Sequence, residues 1–116
     1  MKKYIAEAIG TFVLTFLGCG AAVSLSCGVD AASVVGTAIA FGLSVVAMAY
    51  TIGGISGCHI NPAITLGCLL TGRMNTKDAC GYWGGQLIGG IIAGALLACI
   101  YGVESGIGTN GIGAGC

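Results

Sequence analysis

The sequence predicts an all-α membrane protein with three transmembrane helices and one re-entrant half-helix. Composition is the first reason: 56% of the 116 residues are hydrophobic, 7% are charged, and the mean hydropathy is +1.00, far above a soluble domain. The second is the placement of charge. Ala8–Val29, Ala31–Gly72 and Ala79–Val103 contain no Asp, Glu, Lys or Arg. At roughly 1.5 Å per helical residue, the first and third each suit a hydrocarbon core of about 30 Å, whereas the middle stretch is about twice too long. The third is the only proline, Pro62, which interrupts that overlong stretch within "SGCHINPAITLG".

The first helix is expected over about 4–25. Lys2 and Lys3 ahead of an apolar run, with "FLGCG" following, superficially suggest a lipoprotein leader. Glu7 lies where the apolar region of a leader would begin, and no aliphatic residue stands three before Cys19, so cleavage is not expected. The second helix is expected over about 31–52. Three glycines in "GGISGCHI" (Gly53, Gly54, Gly57) weaken its continuation. "NPAITLGCLL" then supplies a half-helix over 61–70, about 15 Å long, half of a crossing. Asn61 can cap its first free amides, and proline at the first helical position sacrifices no hydrogen bond. Pro62 thus starts a helix.

The third spanning helix is expected over about 79–101. Small residues recur every four positions as Ala32, Gly36, Ala40, Ser44 and as Gly81, Gly85, Gly89, a pattern that lets membrane helices approach closely. Residues 105–116 form a glycine-rich loop, expected to be extracellular. With a cytoplasmic amino terminus and a re-entrant half-helix, all four basic residues (Lys2, Lys3, Arg73, Lys77) lie inside, in keeping with the positive-inside rule. The expected setting is a plasma or inner membrane, with the lipid bilayer as the first partner.

Irregular backbone at membrane depth is tolerated only when protein buries it or when it lines a watery cavity. The carbonyls of the loop before Asn61 therefore suggest a pore wall. The amino end of the half-helix brings roughly half a positive charge to mid-membrane, which repels cations. Asn61 can cap with its oxygen while its amide hydrogens remain available to a passing molecule. His59 fits a neutral imidazole bracing the loop better than a proton carrier. Glu7 is either an interfacial residue near Lys3 or a buried carboxylate with a partner or a role. Phe41 and Val45 share a helix face whose default use is core packing. Gln86 is expected to make an interhelical hydrogen bond.

The seven cysteines (19, 27, 58, 68, 80, 99, 116) show no CxxC or CxxxC pair and fall mostly inside apolar runs, so no metal is expected. No cofactor and no nucleic-acid partner are expected either, and nothing supplies a nucleophile with a paired acid and base.

"SGCHINPAITLG" closely resembles the first NPA box of the aquaporin and glycerol-facilitator family. "AEAIGTFVLTFLGCGAAV", with Glu7 and Thr11 in an E-x-x-x-T pattern, resembles the family's first helix. "AIAFGLSVVAMAY" resembles the second, and "YWGGQLIGGIIAGALLA" the third. The resemblance implies one repeat of an inverted-repeat fold whose pore conducts water or small neutral solutes, in proteins that are commonly homotetramers. Carried over by position, Asn61, Pro62 and Ala63 would be the first NPA motif. The carbonyls of Gly57, Cys58, His59 and Ile60 would line the cytoplasmic half-pore, and Glu7 would brace the loop. Phe41 would be the aromatic selectivity position, with Val45 one turn on as a pore-lining side chain. Phenylalanine there suggests water, where glycerol facilitators typically carry tryptophan. Cys58 departs from the usual Gly or Ala and places a thiol near the path.

The sequence holds no second NPA box, no following filter arginine and no fourth to sixth helices. Two expectations follow: the amino-terminal half of a water channel, or a nonconducting half-protein. A glycerol or small-solute facilitator is the alternative substrate assignment.

Overall fold

The computed structural model describes residues 1–103; the glycine-rich segment 105–116 lies outside the described residues. Four helices follow in order: α1 (Lys2–Ser24), α2 (Ala31–Ser56), α3 (Pro62–Leu70) and α4 (Thr76–Tyr101). The fold is all-helical, and α1, α2 and α4 are each long and apolar enough to cross a membrane.

Each start after α1 has its own cap. Asp30 accepts from the Ser33 amide (3.0 Å) and hydroxyl (2.8 Å) at the head of α2. Those two bonds hold its carboxyl below the ordinary aspartate range. Asn61 caps α3 through the Ala63 amide at 2.8 Å, and Asn75 caps α4 through the Asp78 amide at 2.8 Å. The Asn75 cap sets the first turn of α4 at Thr76, three residues ahead of the expected Ala79, and puts Asp78 where the helix dipole favours an acid.

The second helix corrects one boundary. It runs through Gly53 and Gly54 to Ser56 instead of stopping near Ile52. A glycine costs a helix about 1 kcal/mol against alanine. An amide left unpaired away from water costs more than that, so the ladder continues until Gly57 closes it. Gly57 adopts φ +85° and donates its amide to the Gly53 carbonyl, a left-handed stop. The irregular backbone between α2 and α3 thereby shrinks to residues 57–61.

α1 is the central element: α2 packs on one side of it, α4 on another, and α3 rests on α4. The α1–α4 approach is close because of two glycines. A Cβ on Gly85 would stand 2.4 Å from the Tyr4 carbonyl oxygen, and one on Gly89 would stand 2.1 Å from that of Ala8. Gly10 does the same service on the other face, where a Cβ would come within 2.6 Å of both Ile52 and Ile60. Ala6, Ile52 and Ile60 form the small apolar core that seats the loop, with Cys58 packed against it.

Candidate functional site

The site grows from one carboxylate. Glu7, on the second turn of α1, is fully buried and takes four hydrogen bonds. Its Oε1 accepts from the Ser56 hydroxyl (2.7 Å) and the His59 amide (3.0 Å). Its Oε2 accepts from the Ile60 amide (2.7 Å) and Gln86 Nε2 (2.9 Å). All four contacts are donors, so the pocket suits a group that only accepts, which among side chains means a carboxylate.

This grip fixes the direction of the loop. In a trans peptide the N–H and the preceding C=O point opposite ways, and the chain has no cis peptide bond among the described residues. Drawing the amides of His59 and Ile60 towards α1 turns the carbonyls of Cys58 and His59 away from it. No hydrogen bond among the described residues ends on a carbonyl oxygen of 57–60. The conformation is strained: Cys58 sits at φ +53° and Ile60 at φ +42°, a region that β-branched residues rarely enter. Such strain persists where surroundings over-determine it, and here the Glu7 bonds and the Gly10 recess do so.

A second layer holds His59 and the start of α3. His59 Nδ1 shares a hydrogen bond of 3.0 Å with Thr65 Oγ1, which also accepts from Gln86 Nε2 at 3.0 Å. The Tyr82 ring lies 4.9 Å from the imidazole, and its hydroxyl donates to the Ser56 carbonyl at 2.7 Å, satisfying an orphan acceptor at the end of α2. Trp83 Nε1 donates to the Pro62 carbonyl at 3.1 Å, tying α3 to α4.

The structure therefore brings Glu7, His59, Ile60 and Gln86 into one network, with Cys58 bonded through its amide to Ser56 Oγ at 3.2 Å. Asn61, Pro62 and Ala63 are exposed at the tip of α3. The cap occupies the Asn61 oxygen and leaves the amide N–H groups to donate. Phe41 and Val45 stand apart on α2. Phe41 covers Gly18 of α1, where a Cβ would fall 2.3 Å from its ring, and both side chains are exposed. Thr65, Ser56 and Tyr82 were not among the expected site residues. Tyr82 lies one turn before Gln86, so its position on the same α4 face was available from spacing alone.

Three helices long and apolar enough to cross a membrane, with a half-helix returned by a strained, carboxylate-held loop, define a multi-pass membrane protein. A family model described as Major intrinsic protein matches residues 1–114. Relatives named Aquaporin Z align over nearly the whole chain. That of Rhodopseudomonas palustris is 49% identical over 97% of this chain and 50% of its own length. That of Bradyrhizobium diazoefficiens is 49% identical over 96% and 49%. That of Brucella melitensis biotype 1 is 42% identical over 97% and 50%. The chain belongs to the major intrinsic protein family, the aquaporin family of membrane transport proteins. It spans about half the length of the curated relatives it matches.

Proposed function

We propose that this chain supplies the cytoplasmic half of a water-conducting pore, with a second repeat completing the path. The observation that carries the proposal is the one-sidedness of the loop: the amides of His59 and Ile60 face Glu7, the carbonyls of Cys58 and His59 face away, and the loop ends at the exposed Asn61 side-chain amide. A row of acceptors followed by a donor at a positive helix end suits a neutral molecule that both donates and accepts, and opposes cations. Asn61, Pro62 and Ala63 form the narrow point, and the Gly57, Cys58, His59 and Ile60 carbonyls line the approach. Phe41 and Val45 face the path from α2, with Phe41 favouring water over glycerol. The amino terminus is cytoplasmic, and the completed protein assembles as a homotetramer. This half alone carries no flux; transport belongs to the completed pore.

The test is a chimera joining residues 1–103 to the second half of the Rhodopseudomonas palustris relative, reconstituted in liposomes. Osmotic shrinkage by stopped flow should exceed the lipid background, fall to background with Asn61→Asp, and exceed glycerol uptake. A folded, inserted chimera at background would overturn the proposal.

A further inference from the structure

A second cluster adjoins the His59 imidazole. His59 Nε2 is 3.7 Å from Cys68 Sγ, and both line a cavity of about 410 Å³ together with Met74, Lys3, Arg73 and Asp78. We infer that His59 and Cys68 form a two-coordinate site for a soft monovalent d10 cation such as Ag⁺ or Cu⁺.

The donor set is the first ground. An imidazole nitrogen and a thiolate suit soft ions, and Met74, a residue with a thioether of the same class, lines the same cavity. No group of three or more His, Cys, Asp or Glu is arranged to hold a metal among the described residues. That argues against a tetrahedral zinc site, whereas a linear d10 ion needs only two ligands. Lys3 and Arg73 disfavour hard cations held by charge alone, a penalty that a covalent metal–sulfur bond resists.

Preorganisation is the second ground. The bond between His59 Nδ1 and Thr65 Oγ1 accommodates either tautomer; metal binding selects the one in which Nδ1–H donates to Thr65 Oγ1 and the Nε2 lone pair faces Cys68, with the Tyr82 ring packed 4.9 Å from the imidazole. Metal–sulfur and metal–nitrogen bonds of about 2.3 and about 2.1 Å, the d10 values known for zinc, span about 4.4 Å when collinear. A small rotation of the half-buried Cys68 opens the pair to that length. The sulfur lies in the last turn of α3, the end of a helix that favours positive charge. Binding exchanges the Cys68 thiol proton, released to solvent, for the metal ion, with no change of oxidation state.

Occupancy would lock His59 and narrow the approach to Asn61; that consequence rests on the pore reading, whereas the binding does not. His59 is the only histidine in the chain, so ¹⁵N-histidine labelling gives one imidazole. Titration of the labelled full chain in detergent micelles with Ag⁺ should shift the Nε2 resonance and leave Nδ1 protonated. Cys68→Ser should abolish the shift, and Cys58→Ser should preserve it. A shift that survives Cys68→Ser, or moves Nδ1, or depends on Cys58 instead, would overturn the inference, as would no shift at all in folded protein. In the chimera, Ag⁺ block of flux lost in Cys68→Ser is expected; imidazole binding without block would count against the pore reading and leave the site standing.

Discussion

Replacing Glu7 with glutamine keeps the volume and one acceptor oxygen but aims an amide nitrogen at two donors. If the retained oxygen takes the place of Oε1, the Ser56 hydroxyl and the His59 amide stay satisfied, while the Ile60 amide and Gln86 Nε2 face a donor. The opposite rotamer merely exchanges the losers. Hydrogen bonds to a charged group contribute about 1.5–3 kcal/mol each, so losing two costs about 3–6 kcal/mol before relaxation. The strain at Cys58 and Ile60, of order 1–3 kcal/mol per residue, adds a drive for the loop to relax once the grip fails. The chain should still insert, because its three spanning helices do not depend on the carboxylate for length or hydropathy. The damage should instead be local. Amide hydrogen exchange in nanodiscs should accelerate at His59 and Ile60 by at least 100-fold, the factor for about 2.7 kcal/mol, while mid-helix amides of α2 remain protected. Unchanged protection at both amides in Glu7→Gln would refute the claim that the carboxylate sets the loop.

Gly89→Ala should separate α1 from α4, since its Cβ would meet the Ala8 carbonyl oxygen at 2.1 Å, whereas Gly84→Ala meets nothing within 4 Å. Thermal melts followed by circular dichroism in detergent should show a clear loss for the first and no loss, or a gain of about 0.5–1 kcal/mol, for the second. Asn61→Ala removes the cap on the Ala63 amide and should cost about 1 kcal/mol of α3 stability, read as faster exchange at Ala63. The Asp30 carboxyl is held below its ordinary range in the folded chain, so its cap is fully effective above the ordinary aspartate pKa and weakens as pH falls through the lowered value. Exchange at the Ser33 amide, corrected for intrinsic pH dependence, should accelerate over that acidic window and not above it.

The spans, the half-helix and its Asn–Pro start were legible because each has a local cause: hydropathy over a fixed length, a cap, a ring that presets φ. The end of α2 was less so. Gly53, Gly54 and Gly57 look alike in a sequence, yet two continue the helix and one ends it. The choice depends on where Ser56 must stand to meet Glu7 and Tyr82, 49 and 26 residues away. The sequence left Glu7 between an interfacial and a buried role for the same reason. Its donors come from the segment 56–60 and from α4, and only the packing of α1 against both α2 and α4 brings them together. Thr65 carried no signal as a site residue and Tyr82 only its spacing from Gln86, because a threonine and a tyrosine in an apolar stretch read as packing until their partners are known.

Ser44, Thr51 and Thr11, hydroxyls outside the Glu7 network, differ in their partners. On α2, Ser44 and Thr51 each return their hydrogen to the carbonyl four residues back, at 2.7 Å in both cases, so they need nothing from outside the helix. Thr11 on α1 does not: its Oγ1 and the Oε1 of Gln86 are buried polar atoms with no partner among the described residues. Both residues line an apolar groove of about 910 Å³ beside Pro62. Lipid tails cannot satisfy such atoms, whereas a second repeat seated beside Pro62 could. Thr11→Val separates these surroundings, because it nearly preserves shape and deletes the hydroxyl. In the isolated chain it should be neutral or stabilise by about 1–3 kcal/mol, the desolvation cost of an unmade hydrogen bond. In the chimera carrying a second repeat, it should destabilise by about 0.5–1.5 kcal/mol if that repeat supplies the missing partner. Unfolding of both proteins in graded SDS, each against its own parent, measures the two values. Equal values would mean that the second repeat leaves Thr11 as it is in the half, and that the groove is completed by something other than a hydrogen-bonding surface.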